Sequence, residues 1–139
     1  MISDFWVIGG FDNEGKAGCA RDFGPEAEGL SLAEQQVGVE GRHLTWQKST
    51  VTTPEGYVDL ATMLEPNKEV VGYALTFLDA PKDTATVLSL GTSGGFRLWV
   101  NGKLSASSDR YNVARADQHR VQVKLKKGLN RVVLKVCQE

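Results

Sequence analysis

The stretch 119–136, HRVQVKLKKGLNRVVLKV, carries the strongest signal for the fold class. In its first half, apolar side chains occupy every second position from 121 to 125, which is the period of a half-buried strand. In its second half, apolar residues again stand at every second position from 132 to 136, and we expect Arg131 and Lys135 to point the other way. Because a short glycine-containing turn separates the two halves, we predict an antiparallel hairpin.

A second pair of strands is indicated upstream. The run 87–90 (VLSL) precedes the glycine-rich segment 91–95 (GTSGG), and 96–100 (FRLWV) follows it. We predict that 91–95 is the turn between these two strands. Asn101-Gly102 then closes the second strand, since both residue types tolerate positive φ and the pair is the strongest short hairpin signal.

Further strand-like runs lie elsewhere in the chain, at 5–8, 43–48, 57–60 and 70–78. Helix signals are weak, and at most one turn each is expected at 30–36 and 59–64. Several short strands separated by turn residues are typical of a sandwich or jelly roll. The sequence therefore predicts an all-β fold, an antiparallel β-sandwich.

The long segment between Ile8 and Arg42 has few strand signals and many glycines. Loops of this length are uncommon inside a compact domain and are often functional. We expect the segment to pack across the fold as a strap anchored by apolar residues, namely Phe11, Phe23, Leu30 and Leu32. The alternative is a ligand-binding loop.

Size and charge limit the classes of function. The 139 residues, 41% hydrophobic and 24% charged, predict a single globular domain over 1–139. A net charge of -1 gives no excess of positive charge that would indicate binding to nucleic acid or to an anionic membrane. No apolar run reaches the roughly 20 residues of a transmembrane helix, and the N-terminus lacks the pattern of a signal peptide. We expect a domain cut from a larger protein.

The two cysteines are Cys19 and Cys137, and their spacing matches no zinc or thioredoxin-type pattern. One lies in the long loop segment and the other ends a strand, so they could pair as a disulfide. The alternative is two unlinked thiols, and the sequence leaves both open.

Three motifs together resemble those of a known family. They are 6–11 (WVIGGF) with 23–26 (FGPE) and Trp46, then 98–103 (LWVNGK) after the GTSGG segment, and finally 125–136 (LKKGLNRVVLKV). The combination covers nearly the whole chain and resembles the galactose-binding-like β-sandwich modules of secreted bacterial multidomain proteins. It is also similar to the sugar-binding jelly roll that precedes the barrel in some glycoside hydrolases, and to protective-antigen-type carbohydrate-binding modules.

The resemblance implies a galactose-binding-like jelly roll that is a non-catalytic accessory module, for weak carbohydrate binding or for docking to neighbouring domains. It also implies an extracytoplasmic location, periplasmic or secreted, as part of a larger protein. Relatives often carry acidic residues in the turn before Phe96, where this chain has Thr92 and Ser93. Calcium or sugar contacts through such acids are therefore not carried over. The alternative function is a structural spacer without a ligand.

Arg97 and Trp99 are the candidate ligand-binding residues. If Leu98 and Val100 face the core, strand alternation places these two on the opposite face. An exposed indole beside a guanidinium could stack on a sugar ring or meet another protein surface. The alternative is burial of Trp99 beneath the long loop. The candidate partners are a glycan or neighbouring domains of the parent protein, and neither nucleic acid nor membrane is expected.

The GTSGG segment resembles the motif around the nucleophile of chymotrypsin-like proteases, and His43, Asp79 and Ser93 follow that family's order. However, the chain is too short for the two barrels of such an enzyme, and Thr92 replaces the motif's aspartate. We predict no catalytic residue and expect Ser93 to have no catalytic role. A small serine hydrolase is the remote alternative.

No metal site and no cofactor are predicted. His43 and His119 have no carboxylate or cysteine at ligand spacing. Loop residues that could offer oxygens to calcium are Asp12, Asn13, Glu14, Asp79 and Asp83. Their spacing is not the helix–loop–helix calcium pattern, so we interpret them as solvated loop residues.

Overall fold

The computed structural model describes residues 4–25, 36–38, 41, 43–50, 69–92, 94–111 and 118–138. Over these residues the chain forms strands and two short 3₁₀ helices, Glu14–Lys16 and Gly18–Ala20, and no α-helix. The strands are β1 (Asp4–Asp12), β2 (Gln36–Val37), β3 (His43–Leu44), β4 (Gln47–Thr50), β5 (Val70–Ala80), β6 (Thr84–Leu90), β7 (Gly95–Val100), β8 (Lys103–Ser108), β9 (His119–Leu125) and β10 (Gly128–Cys137). No helix in this part of the chain is long and apolar enough to cross a membrane.

Six strands form one antiparallel sheet in the order β4-β1-β5-β10-β7-β8. A second antiparallel sheet consists of β6 and β9, and β2 pairs with β3 in a short ladder. The first and last described strands, β1 and β10, both lie inside the large sheet. The prediction of an all-β, antiparallel sandwich is confirmed.

Two predicted hairpins are wrong in their pairing. β9 pairs with β6 in the second sheet, whereas β10 pairs with β5 and β7 in the large sheet. In the same way, β6 and β7 flank residues 91–95 but belong to different sheets. Alternation of apolar residues shows which face of a strand is buried. It does not distinguish a hairpin, in which the next strand pairs within the same sheet, from a crossover, in which the next strand joins the opposite sheet, because both need the same alternation. Both connections are therefore crossovers between sheets.

The hairpin closed by Asn101 and Gly102 is present and joins β7 to β8. The two φ angles are 51° and 80°, the left-handed values that a type I′ turn requires at both central positions. Asn101 also ties this turn to β10. Its N–H donates to the Arg131 carbonyl at 2.8 Å, and its Oδ1 accepts from the Arg131 N–H at 2.9 Å. The predicted structural role of this turn is confirmed.

The large sheet carries a buried core on each face. One face packs on the second sheet through a core formed by Phe96, Leu98, Val100, Val121, Val123 and Val132. The opposite face carries another core, formed by Ile8, Phe11, Cys19, Trp46, Val71, Tyr73, Leu75, Val133 and Cys137. β10 contributes to both cores, which explains why its sequence reads as a nearly continuous apolar run.

Lys135 lies on the face of β10 opposite Leu134, as predicted, but it is fully buried. Its ammonium donates to the Arg21 carbonyl and lies over the rings of Phe23 and Tyr73, 5.3 and 5.5 Å from their centroids. Burying an ammonium is costly unless its charge and donors are compensated. A carbonyl oxygen and two aromatic faces provide that compensation here.

The residues that follow β1 form the predicted strap over this end of the sheet. Phe23 stacks on Phe11 with ring centroids 5.0 Å apart, and the 3₁₀ helix Gly18–Ala20 lies against β5, β7 and β10. A disulfide joins Cys19 of the strap to Cys137 at the end of β10, so the paired alternative is the one observed. The strap is confirmed over residues 13–25, whereas Phe11 belongs to β1, which continues to Asp12, and residues 36–37 form β2.

Several other expectations fall on residues that the structure does not describe. They are the anchors Leu30 and Leu32, the strand 57–60, the helical turn 59–64, and the helical turn 30–36 except for Gln36, which begins β2.

Candidate functional site

Trp99 belongs to a cross-strand row on the face of the large sheet that carries the strap. The register places Leu75, Val133, Trp99 and Leu104 side by side on β5, β10, β7 and β8. Leu75 and Val133 are buried, Trp99 is half-buried and packs against the same core, and Leu104 is 51% exposed. The row therefore passes from the core to the surface as it approaches β8.

Two more exposed apolar side chains lie in the neighbouring rows. Phe77, 44% exposed, stands opposite Arg131, and Leu129, 72% exposed, precedes Arg131 by two positions on the same strand face. We call the surface formed by Phe77, Trp99, Leu104, Leu129 and Arg131 the Trp99 face. Clustered large apolar side chains on a surface mark interaction sites, whereas scattered ones are ordinary.

Arg97 shares a face with Trp99, as strand alternation predicts, but it lies at the end that the strap covers. Its guanidinium donates to the carbonyls of Phe96 and Ser108 at 2.9 and 3.2 Å and pairs with Asp109 at 2.7 Å. It also lies 3.7 Å from the sulfur of the strap cysteine. Its side chain is only 15% exposed. Arg97 therefore connects β7, β8 and the strap, and Trp99 is the candidate residue that adjoins an open surface.

Asn130, the third residue of β10, fixes the start of this strand. It is not among the residues that the sequence indicated as functional or structural. It is fully buried, and its amide donates to the carbonyls of Leu78, Lys126 and Gly128 at 3.1, 2.8 and 3.0 Å. Its Oδ1 accepts from the Lys126 N–H at 2.8 Å and from the Asn101 amide at 2.9 Å. Both polar atoms of the side chain are thus engaged. One signal could have identified it, a polar residue directly after a turn within an otherwise apolar strand face.

Asn13, one of the five residues considered as calcium ligands, is buried rather than solvated. Its Nδ2 donates to the Tyr111 hydroxyl at 3.1 Å and to the Gln138 carbonyl at 2.7 Å, while its Oδ1 accepts from the Gly18 N–H at 3.0 Å. The expectation of a solvated residue is therefore wrong, because this amide connects the residues after β1 to Tyr111 and to Gln138, the residue after β10. Among the described residues, no group of three or more His, Cys, Asp or Glu could hold a metal ion.

A glycine of the GTSGG segment is required by close packing. A Cβ atom on Gly94 would lie 1.7 Å from the carbonyl oxygen of Cys137, so no other residue fits without a backbone shift. Thr92 is buried, and its hydroxyl donates to the Gly94 carbonyl at 2.7 Å. Ser93 and the side chain of His43 are outside the described residues, and the hydrolase alternative is therefore untested.

Comparison with known proteins gives a fold-level result. No family model matches the chain, and no curated protein matches its sequence. A β-glucuronidase from Ruminococcus gnavus in complex with D-glucaro 1,5-lactone matches with a TM-score of 0.54 at 14% identity, over 99% of this chain and 21% of that one. The same enzyme in complex with D-glucuronic acid matches with a TM-score of 0.52 at 13% identity, over 99% and 21%.

The chain thus spans about a fifth of the length of these enzymes. At this identity the likeness is one of fold, and it fits a β-sandwich module of the kind that glycoside hydrolases contain.

Proposed function

We propose that this chain is a non-catalytic accessory module of a larger, extracytoplasmic, carbohydrate-active protein, and that it docks against a neighbouring domain through the Trp99 face. The extent of the structural match supports the first part. Nearly all of this chain corresponds to a small part of a glycosidase chain, which is the relation expected of an accessory domain. The Trp99 face supports the second part.

The composition of the Trp99 face favours a protein partner. Its exposed apolar members are Phe77, Leu104 and Leu129, the half-buried Trp99 lies among them, and the exposed Asp79 stands opposite Leu129 at its edge. Aromatic residues are enriched at the centres of protein interfaces, which are depleted in charge. A sugar platform instead needs polar groups beside the aromatic ring that bond to hydroxyls. Arg97 is the polar group that the sequence offered, and its guanidinium is engaged by Phe96, Ser108 and Asp109. Arg131, the polar member of the Trp99 face, donates to the Pro25 carbonyl of the strap at 3.3 Å.

The disulfide supports the proposed location. Disulfides persist in oxidising compartments such as the periplasm and the extracellular space and are rare in the cytosol of most organisms. The pair Cys19 and Cys137 links two segments that are 118 residues apart in sequence. A stable disulfide between these segments is therefore consistent with the proposed extracytoplasmic parent protein.

The double variant Leu104→Ser/Leu129→Ser tests docking in the full-length gene product that contains this chain. Both side chains are largely exposed, so we expect the isolated domain to lose less than about 1 kcal/mol of stability. In the full-length protein we expect the variant domain to unfold separately from its neighbour. Its free energy of unfolding should fall by about 2–4 kcal/mol, because two interface contacts disappear. Differential scanning calorimetry measures both quantities.

Val87→Ser is the matched control, since Val87 is 49% exposed and lies on the second sheet. It should leave the full-length protein's unfolding unchanged. A full-length product without any further domain would overturn the docking role. So would a Leu104→Ser/Leu129→Ser protein whose domains still unfold together with wild-type stability.

A further inference from the structure

The outer surface of the second sheet carries one sign of charge. On β9 the buried Val121 and Val123 alternate with the exposed Arg120, Gln122 and Lys124. The residues opposite them on β6 are Ser89, Val87 and Ala85, none of which is charged. No carboxylate on this two-stranded surface therefore balances the cations.

The positive surface continues into two adjacent turns. Lys126 and Lys127 follow β9, and Lys82 precedes β6; all three are exposed, and the exposed carboxylate of Asp83 lies in the same turn as Lys82. The two turns are in contact, because the Lys127 N–H donates to Oδ1 of Asp83 at 2.9 Å. We call Lys82, Arg120, Lys124, Lys126 and Lys127 the basic face. None of them forms an ion pair with a described residue.

The net charge of -1 for the whole chain does not reflect this local excess of positive charge. The stretch 118–138 contains Arg and Lys at six positions and no Asp or Glu. Two of the six, Arg131 and Lys135, contact the strap, and the other four belong to the basic face. Like charges placed side by side repel one another and weaken the fold. An anionic ligand would remove that repulsion.

We infer that the basic face binds an acidic polysaccharide, a polymer that bears uronate carboxylates. This rests on the proposed function as a module of a carbohydrate-active protein. Side chains two residues apart on a strand are about 7 Å apart. Arg120 and Lys124, four residues apart on β9, are therefore about 13 Å apart along the strand with Gln122 between them, and Lys126 follows just beyond its end, a spacing that suits an extended linear polyanion. Ammonium and guanidinium groups form charge-assisted hydrogen bonds with carboxylates.

Two other polyanions fit this surface less well. Single-stranded nucleic acid is held by aromatic side chains on which bases stack, and the exposed residues of β6 and β9 include none. Peripheral membrane binding combines cations with inserted apolar side chains. Val87 is the one large apolar side chain among the exposed residues of these two strands.

The test is a titration of the 139-residue chain with polygalacturonate, with a neutral glucan, an oligothymidine and phosphatidylserine vesicles as comparison ligands. We expect binding to polygalacturonate that weakens as the salt concentration rises through about 0.15 M, where charges are screened over ~8 Å. Lys124→Gln/Lys126→Gln should weaken it about fivefold to tenfold, as the loss of two exposed charge contacts implies. Lys48→Gln/Lys103→Gln removes the same charge from the large sheet and should change it less than twofold.

Equal weakening by the two double variants would overturn the inference, because attraction would then depend on net charge alone. Binding of oligothymidine or vesicles as tight as that of polygalacturonate would also overturn it. The docking role has a separate readout, the calorimetry of the Leu104→Ser/Leu129→Ser protein. Failure to bind polygalacturonate with docking intact contradicts only the basic face, and the reverse outcome contradicts only the Trp99 face.

Discussion

Asn130→Ala is expected to lower the free energy of unfolding by about 2–4 kcal/mol, a large loss for a single substitution. The side chain makes five hydrogen bonds that join the turn before β10 to β5 and to the β7–β8 turn. Its removal leaves the Leu78 carbonyl and the backbone N–H and carbonyl of Lys126, all in part-buried hydrogen bonds, without this partner. Each buried polar group that loses its hydrogen bond costs roughly 1–3 kcal/mol, and partial access of water to the turn reduces the sum.

Urea denaturation measures this change, with Gln122→Ala as the control. Gln122 is an exposed amide on β9 of the second sheet, and its truncation should cost less than about 0.5 kcal/mol. An Asn130→Ala protein within about 1 kcal/mol of wild type would show that the network does not hold the turn.

Removing the disulfide by Cys19→Ser/Cys137→Ser is expected to cost about 2–5 kcal/mol. The two cysteines are separated by 118 residues, so the link closes a loop over most of the chain. A loop of that length restricts the unfolded ensemble strongly, and the chain-entropy model places the effect near the upper end, at ~5 kcal/mol. Denaturation of both proteins under oxidising conditions gives the difference.

The same variant should also loosen the strap, which reaches β10 through this link. Lys135 is buried beneath Arg21 and Phe23, so its amine should react slowly with an acylating reagent in the wild type and faster in the variant. Exposed Lys103 serves as the internal reference, because its reactivity should be the same in both proteins. Unchanged stability together with unchanged protection of Lys135 would contradict a clamping role for the disulfide.

The sequence predicted the strands and their faces better than their partners. Apolar alternation correctly placed Val132 and Leu134 on one face of β10 and Lys135 on the other. It predicted hairpins where the chain crosses between sheets, because a crossover and a hairpin require the same alternation. The Asn101-Gly102 turn was predictable because its signal is local, a matter of which residues tolerate positive φ.

The candidate site was predictable only in part, for a related reason. Alternation correctly put Arg97 and Trp99 on one face. It could not show that Arg97 lies against the strap while Leu104 is exposed, since that depends on contacts between distant parts of the chain. The roles of Asn130 and Asn13 were missed for the same reason. Each is a single polar residue whose partners are defined by tertiary structure alone.

Hydroxyl-radical footprinting of the isolated chain and of the full-length gene product tests the claim that the Trp99 face docks against a neighbouring domain. We expect Phe77, Leu104 and Leu129 to react readily in the isolated chain and to be protected in the full-length protein. Val87, on the second sheet, should react equally in both. Equal reactivity of Leu104 and Leu129 in the two proteins would contradict the claim, because the face would then be open to solvent where its proposed partner is present.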